Sequence, residues 1–260
     1  MKKILLIAFL LSVFFLFVAC GDDADTSGDD VNDVDDTADA DDDDATDDNN
    51  NDDTLEEGEL DISICDPANG HFSLNIDNPY FPLPVGKKLI LEGKEGSTVV
   101  RVEFRVLDET EEVAGVTTRV VEEYETEDDE VVEVSRNFFA QAPDGTVCYF
   151  GEDVYDYEGG DVVGSSGEWR AGDGGSKAGV IMPANPEVGM EYQQEYAPGV
   201  AMDRGEIMAV GETVEVPAGT FENTLRVKET SPLDFGSSKK IYEKGIGMIV
   251  DDSIELISYE

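Results

Sequence analysis

Histidine is almost absent from this chain of 260 residues: His71 is the only one. A histidine-based metal cluster is therefore excluded, and a Ser-His-Asp hydrolase would have to be built on His71, which lies in the segment entering the fold. A solvated or hydrogen-bonded structural role is the plainer expectation for it. Positive charge is scarce too, with 17 Lys and Arg against 61 Asp and Glu and a formal net charge of −44. Nucleic acid and anionic lipid are bound by neutralising phosphate with Lys and Arg, so neither is an expected partner. The three cysteines have no second ligand at metal spacing, and no phosphate loop, nucleophile elbow or basic-aromatic stripe occurs. No metal and no cofactor is expected.

Only one long hydrophobic run is present, the 16 residues Ile4 to Ala19 behind Lys2 and Lys3. As a helix it would cover roughly 24 Å, short of a hydrocarbon core about 30 Å thick. Its length, its positive flank and the small Ala19 fit a cleaved export signal over residues 1–19. Leu16, Val18, Ala19 and Cys20 resemble the lipobox of bacterial lipoproteins, with a bulkier Phe17 than that motif usually carries. The resemblance implies lipidation at Cys20, hence a membrane attached through lipid at the cell envelope. Gly21, where an aspartate would favour the inner membrane, leans toward the outer membrane.

Residues 20–59 read as a tether. From Gly21 to Glu59 there are 17 Asp, 3 Glu and no Lys or Arg. So little apolar surface cannot offset chain entropy of roughly 1 to 2 kcal/mol per residue, and a disordered acidic spacer is the expectation. A calcium loop at Asp23, Asp25, Ser27 and Gly28 fails at its twelfth position, where Val34 stands in place of a bidentate Glu.

Residues 60–260 are long enough for one substantial core. They keep 41 acidic and 15 basic residues, a net of −26, which suits a saline habitat, general solubility, or recognition of a basic partner or cation. With Cys20 taken by lipid, Cys65 and Cys148 remain as an even pair in an oxidising compartment, and a disulfide between them is expected.

The domain reads as strands. Val100, Val102, Phe104 and Val106 alternate with Arg101, Glu103 and Arg105, and Val116, Thr118, Val120 and Tyr124 continue the pattern, interrupted by Glu122. Turns are expected at Asp128-Asp129, Asp144-Gly145, Gly159-Gly160-Asp161 and Pro217-Ala218-Gly219. Further strands follow over Phe221 to Val227, Lys240 to Tyr242, Ile246 to Val250 and Ile254 to Tyr259. The predicted class is all-β and antiparallel, a curved sandwich or barrel-like fold.

A duplication at an offset of 103 residues underlies this pattern: Val85-Gly86, Glu112-Val113 and Phe138-Phe139 match Val188-Gly189, Glu215-Val216 and Ile241-Tyr242. The pseudo-repeats would span about 78–150 and 185–260, joined by a glycine-rich connector around Trp169. Too few strands per half predict that the halves close on each other and leave a seam for a ligand.

Several motifs also resemble a family of uncharacterised bacterial exported proteins and lipoproteins. They are Asn78-Pro79-Tyr80-Phe81-Pro82-Leu83-Pro84-Val85-Gly86, Phe139-Ala140-Gln141 before Asp144-Gly145, Ile181-Met182-Pro183, Val216-Pro217-Ala218-Gly219-Thr220-Phe221 and Tyr242-x-x-Gly245-x-Gly247. The resemblance implies an antiparallel β domain and brings no activity or cofactor. Leu89 and Leu91 stand where that family carries strand-entry aromatics.

Catalytic residues are not evident. With so many carboxylates, a glycosidase pair is not distinguished by proximity, and the Glu152, Asp153, Asp156 and Glu158 cluster around Tyr155 and Tyr157 reads as an exposed hairpin. The methionines Met182, Met190, Met202, Met208 and Met248 read as core filling. The function expected is non-enzymatic binding of a partner or small apolar ligand. A passive structural or surface-charge lipoprotein and a carboxylate-based hydrolase of envelope or extracellular polymer are the alternatives.

Overall fold

The computed structural model describes residues 59–260. The export signal, Cys20 and the acidic tether up to residue 58 lie outside the described residues. Glu59, the last residue assigned to the tether, belongs instead to the sheet, where its carboxylate accepts from Arg204 Nη2 at 2.7 Å.

The strands in chain order are β1 (Glu59–Leu60), β2 (Lys88–Glu95), β3 (Thr98–Val113), β4 (Val116–Glu127), β5 (Glu130–Gln141), β6 (Val147–Glu158), β7 (Asp161–Gly164), β8 (Trp169–Arg170), β9 (Gly179–Met182), β10 (Glu191–Gln193), β11 (Arg204–Val216), β12 (Gly219–Thr230), β13 (Ser238–Glu243), β14 (Gly247–Asp251) and β15 (Ile254–Tyr259). They form one large sheet in the order β1-β10-β11-β12-β13-β14-β15-β2-β3-β4-β5-β6-β7, with β8 and β9 also paired to β6. All pairings are antiparallel except β1 with β10. The sheet is not closed: β1 and β7 end the order without pairing to each other.

Short turns set the register. Asp128 and Asp129 both adopt positive φ (49° and 69°), the geometry of a two-residue hairpin whose twist matches its strands. Ala114 and Gly115 (49° and 79°) do the same between Val113 and Val116. β4 and β12 begin and end 103 residues apart, each following a long hairpin partner, β3 or β11.

The inward alternation of Val100, Val102, Phe104 and Val106 is present, but that assigned to β4 needs correction. Val116, Thr118 and Val120 are buried, whereas beyond them the inward set is Val121, Glu123 and Glu125, opposite Val106, Phe104 and Val102. Tyr124 lies on the outer face, with the Arg105 guanidinium 5.1 Å from its ring centre. The switch follows from a register shift in β3 between Val106 and Thr110, and from a second layer over the outer face. There Arg170 stacks 4.6 Å above Phe138, pairs with Glu111 at 2.9 Å and chelates Asp153. Both faces are covered at this end, so adjacent residues such as Val120 and Val121, or Phe138 and Phe139, are all buried.

Much of the positive charge is spent on the outer face. Glu103 receives Lys88 and Arg105 at 2.7 Å each, and Arg105 reaches on to Glu122 at 3.0 Å. Cys65 and Cys148 are joined by a disulfide with Cα atoms 5.5 Å apart, pinning the segment before β2 to β6.

Candidate functional site

Residues 76–87 form a strap that buries Ile76, Asn78, Phe81 and Leu83 and leaves Asp77, Pro79 and Pro84 to Gly86 exposed, and the motif Asn78 to Gly86 explains why. The Asn78 carboxamide donates to the carbonyls of Gly145 and Pro183 at 3.0 Å each, while its oxygen accepts from the amides of Tyr80 and Phe81. Gln141 caps the amides of Asp77 and Asn78, and the Gly245 amide donates to the Pro79 carbonyl at 2.7 Å. Motifs far apart in sequence thus meet on one segment, whose job is to deliver Phe81 and Leu83 into the core. Phe81 starts a line of ring contacts through Phe139 (5.3 Å), Tyr149 (4.8 Å from Phe139) and Trp169 (5.4 Å from Tyr149).

Beside the strap is an apolar pocket of about 30 Å³, lined chiefly by Phe81, Leu83, Leu89, Phe104, Val121 and Met248, with Lys87 at its edge. No carboxylate contributes to its wall. Lys87 Nζ donates to the Pro82 carbonyl at 2.6 Å, and burial lowers its pKa to about 8, so the group is a cation at neutral pH. Leu89 forms part of this wall.

Part of the interior is polar, which apolar alternation in the sequence does not signal. Glu123 and Glu125 of β4, Glu152 of β6, Glu195 after β10, Glu229 of β12 and Asp251 of β14 are all buried, with Lys240 of β13 among them. Lys240 Nζ stands 2.9 Å from Glu229 and 3.6 Å from Asp251, the latter too long for a hydrogen bond. Burial works against the Lys240 ammonium, but Asp251 and Glu229 outweigh it and hold its pKa well above the ordinary lysine value. Burial drives the carboxyls upward: Glu125 to about 9, Asp251 to about 7 against the pull of Lys240, and Glu123, Glu152 and Glu195 well above the usual range. Glu152 and Asp156 are therefore core residues of β6, correcting the exposed hairpin expected from their density; the pleat turns them inward while Asp153 faces out to Arg170. The available signal was the alternation of Glu123 and Glu125 with Glu122 and Tyr124, but without apolar residues that alternation does not reveal which face is inside.

Two glycines admit this polar layer. A Cβ on Gly205 would overlap the Tyr192 ring, and one on Gly179 would overlap the Gln194 carbonyl. Gln194 Nε2 in turn donates to Glu229 at 2.6 Å.

Among the described residues, no three His, Cys, Asp or Glu side chains are arranged to hold a metal ion. His71 is exposed and does not line the apolar pocket. Met182 and Met248 are buried, Met190 and Met202 are half-buried, and Met208 is exposed, so core filling holds for only part of that set.

No family model and no curated protein matches this chain. Among solved structures, a Parabacteroides distasonis protein provisionally named a lipoprotein aligns over 70% of this chain and 99% of its own, at 14% identity and a TM-score of 0.28. That likeness assigns no residue a role.

Proposed function

We propose that this chain is a lipid-anchored envelope protein whose β domain binds a small apolar ligand without transforming it. The reading is supported chiefly by the pocket: its wall of Phe81, Leu83, Leu89, Phe104, Val121 and Met248 carries no acid, and its one charged neighbour is Lys87. A desolvated ammonium at the edge of an apolar recess suits a ligand with a short hydrocarbon end and an anionic end. A volume of about 30 Å³ limits the buried end to about a terminal methyl group. The anchor is supported by Lys2, Lys3, the apolar run and Cys20, and Gly21 supports the outer membrane.

Titration of the purified mature chain with butyrate and 1-butanol tests the binding reading. Butyrate binds more tightly than the alcohol, Lys87→Met removes that preference, and Leu83→Phe, which fills the recess, removes binding of both. Absence of butyrate binding overturns the reading. For the anchor, Cys20→Ser releases the protein from membranes, and undiminished membrane retention overturns it.

A further inference from the structure

Lys87 and Lys88 are neighbours in sequence with opposite surroundings. Lys88 Nζ stands 2.7 Å from the Glu103 carboxylate on the outer face. Lys87 Nζ pairs with no carboxylate among the described residues; it donates to the Pro82 carbonyl at 2.6 Å and borders the apolar recess. Burial alone lowers its pKa to about 8, with no neighbouring charge opposing the shift.

The same amine is left uncovered from the side of β14. Gly247 adopts φ 97°, which favours glycine on backbone grounds, and a Cβ there would stand 3.4 Å from Lys87 Nζ and 3.6 Å from Leu89 Cδ1. Any longer side chain at this position would crowd the amine and the wall of the recess together. At about 30 Å³ the recess has room for about one methyl group, and Lys87 at its edge is only half-buried. A nucleophilic nitrogen and a methyl-sized apolar hole therefore lie side by side.

We propose that Lys87 is a site of reversible covalent capture, where its amine condenses with a short aliphatic aldehyde whose methyl group occupies the recess. This rests on the recess proposed above as a ligand site, but not on an anionic ligand. The free amine is the nucleophile, present in about a tenth of the molecules at pH 7 against about one in a few thousand for an ordinary lysine. Its lone pair attacks the carbonyl carbon, a C–N bond forms, and the oxygen leaves as water with the two hydrogens of the amine. The imine nitrogen then takes a proton from solvent, and its N–H donates to the Pro82 carbonyl where the ammonium did before. One aldehyde is consumed and one water released, with no change of oxidation state. The wall of Leu89, Phe104, Val121 and Met248 keeps water from one side of the new bond and so slows its hydrolysis.

Treatment of the mature chain with acetaldehyde and cyanoborohydride at pH 7 tests the proposal, since the reductant converts an imine to a stable N-ethyl amine that fragmentation mass spectrometry can locate. Lys87 is ethylated at least tenfold faster than Lys88, the adjacent control. Pivalaldehyde, whose branched end exceeds the recess, shows no such preference. The proposal is overturned if acetaldehyde labels Lys87 no faster than Lys88, and the role of the recess is overturned if pivalaldehyde prefers Lys87 equally. Because both readings use one recess, butyrate separates them. If butyrate does not bind while Lys87 keeps its preference, the anionic-ligand reading falls and capture stands. If butyrate binds and Lys87 shows no preference, capture alone is overturned.

Discussion

Lys240 and Glu229 form an ion pair at 2.9 Å with both side chains almost wholly removed from solvent. Removing one member strands the other charge in the interior, which costs about 3 to 5 kcal/mol. Lys240→Met is therefore expected to lower the unfolding free energy by about that amount in urea titrations. The double variant Lys240→Met, Glu229→Gln recovers part of the loss, and a thermodynamic cycle over the four proteins measures the coupling.

Stability should fall as pH rises. A carboxyl whose folded pKa is raised holds its proton more tightly in the native state. Its contribution is complete below the unfolded value of about 4.3 and is lost as pH climbs to the folded value, by at most about 1.4 kcal/mol per pH unit. For Glu133 that window closes at about 8 and for Glu125 at about 9. Glu103 acts oppositely: hydrogen bonds from Lys88 and Arg105 depress it to about 2, and its contribution disappears as pH drops from about 4 toward that value. The urea midpoint is accordingly expected to be higher at pH 5 than at pH 9, and Glu125→Gln to reduce the difference. A midpoint that is flat or rises over this range contradicts the assignment.

Asn78→Ala removes two donor and two acceptor contacts at once and leaves the carbonyls of Gly145 and Pro183 without this donor. A loss of about 2 to 4 kcal/mol follows from net values near 1 kcal/mol per bond plus the desolvation left uncompensated. Asn75→Ala, at the exposed residue just before the strap, changes stability by less than about 0.5 kcal/mol. Chemical denaturation of the two variants side by side separates the strap from a general effect of asparagine loss.

Ala114 sits at φ 49°, a conformation that costs a residue with a Cβ about 1 to 2 kcal/mol. Ala114→Gly relieves this strain and loses part of the gain to a more flexible unfolded chain. A net increase of roughly 0.5 kcal/mol is expected, seen as a higher thermal midpoint. Gly115→Ala, at φ 79°, should shift it the other way.

Legibility in the sequence tracked apolar alternation. Val100 to Val106 announced β3 and its buried face, and Asp128-Asp129 announced a hairpin, because both signals are local. Tyr124 was misplaced because the face of β4 changes at Val120 and Val121 under the influence of Arg170 and Phe138, which are remote in sequence. Glu123, Glu125 and Glu152 were invisible as interior residues, since a charged side chain in a strand is ordinarily read as solvated. Lys87 became distinctive only once the strap had folded it over Leu89 and Met248. The motif Asn78 to Gly86 is visible as a pattern, but its purpose depends on the carbonyls of Gly145 and Pro183, which are remote in sequence.

The position of β15 governs how this protein can assemble. It is the last strand in chain order, yet it lies in the middle of the sheet order, pairing Ile254 with Gly93 and Tyr259 with Leu89. Until it docks, β14 and β2 each present an open edge at the centre of the sheet. Such pairings between distant segments fold slowly and expose strand edges while they wait. Completion of the sheet thus waits on β15, whatever order the other strands form in.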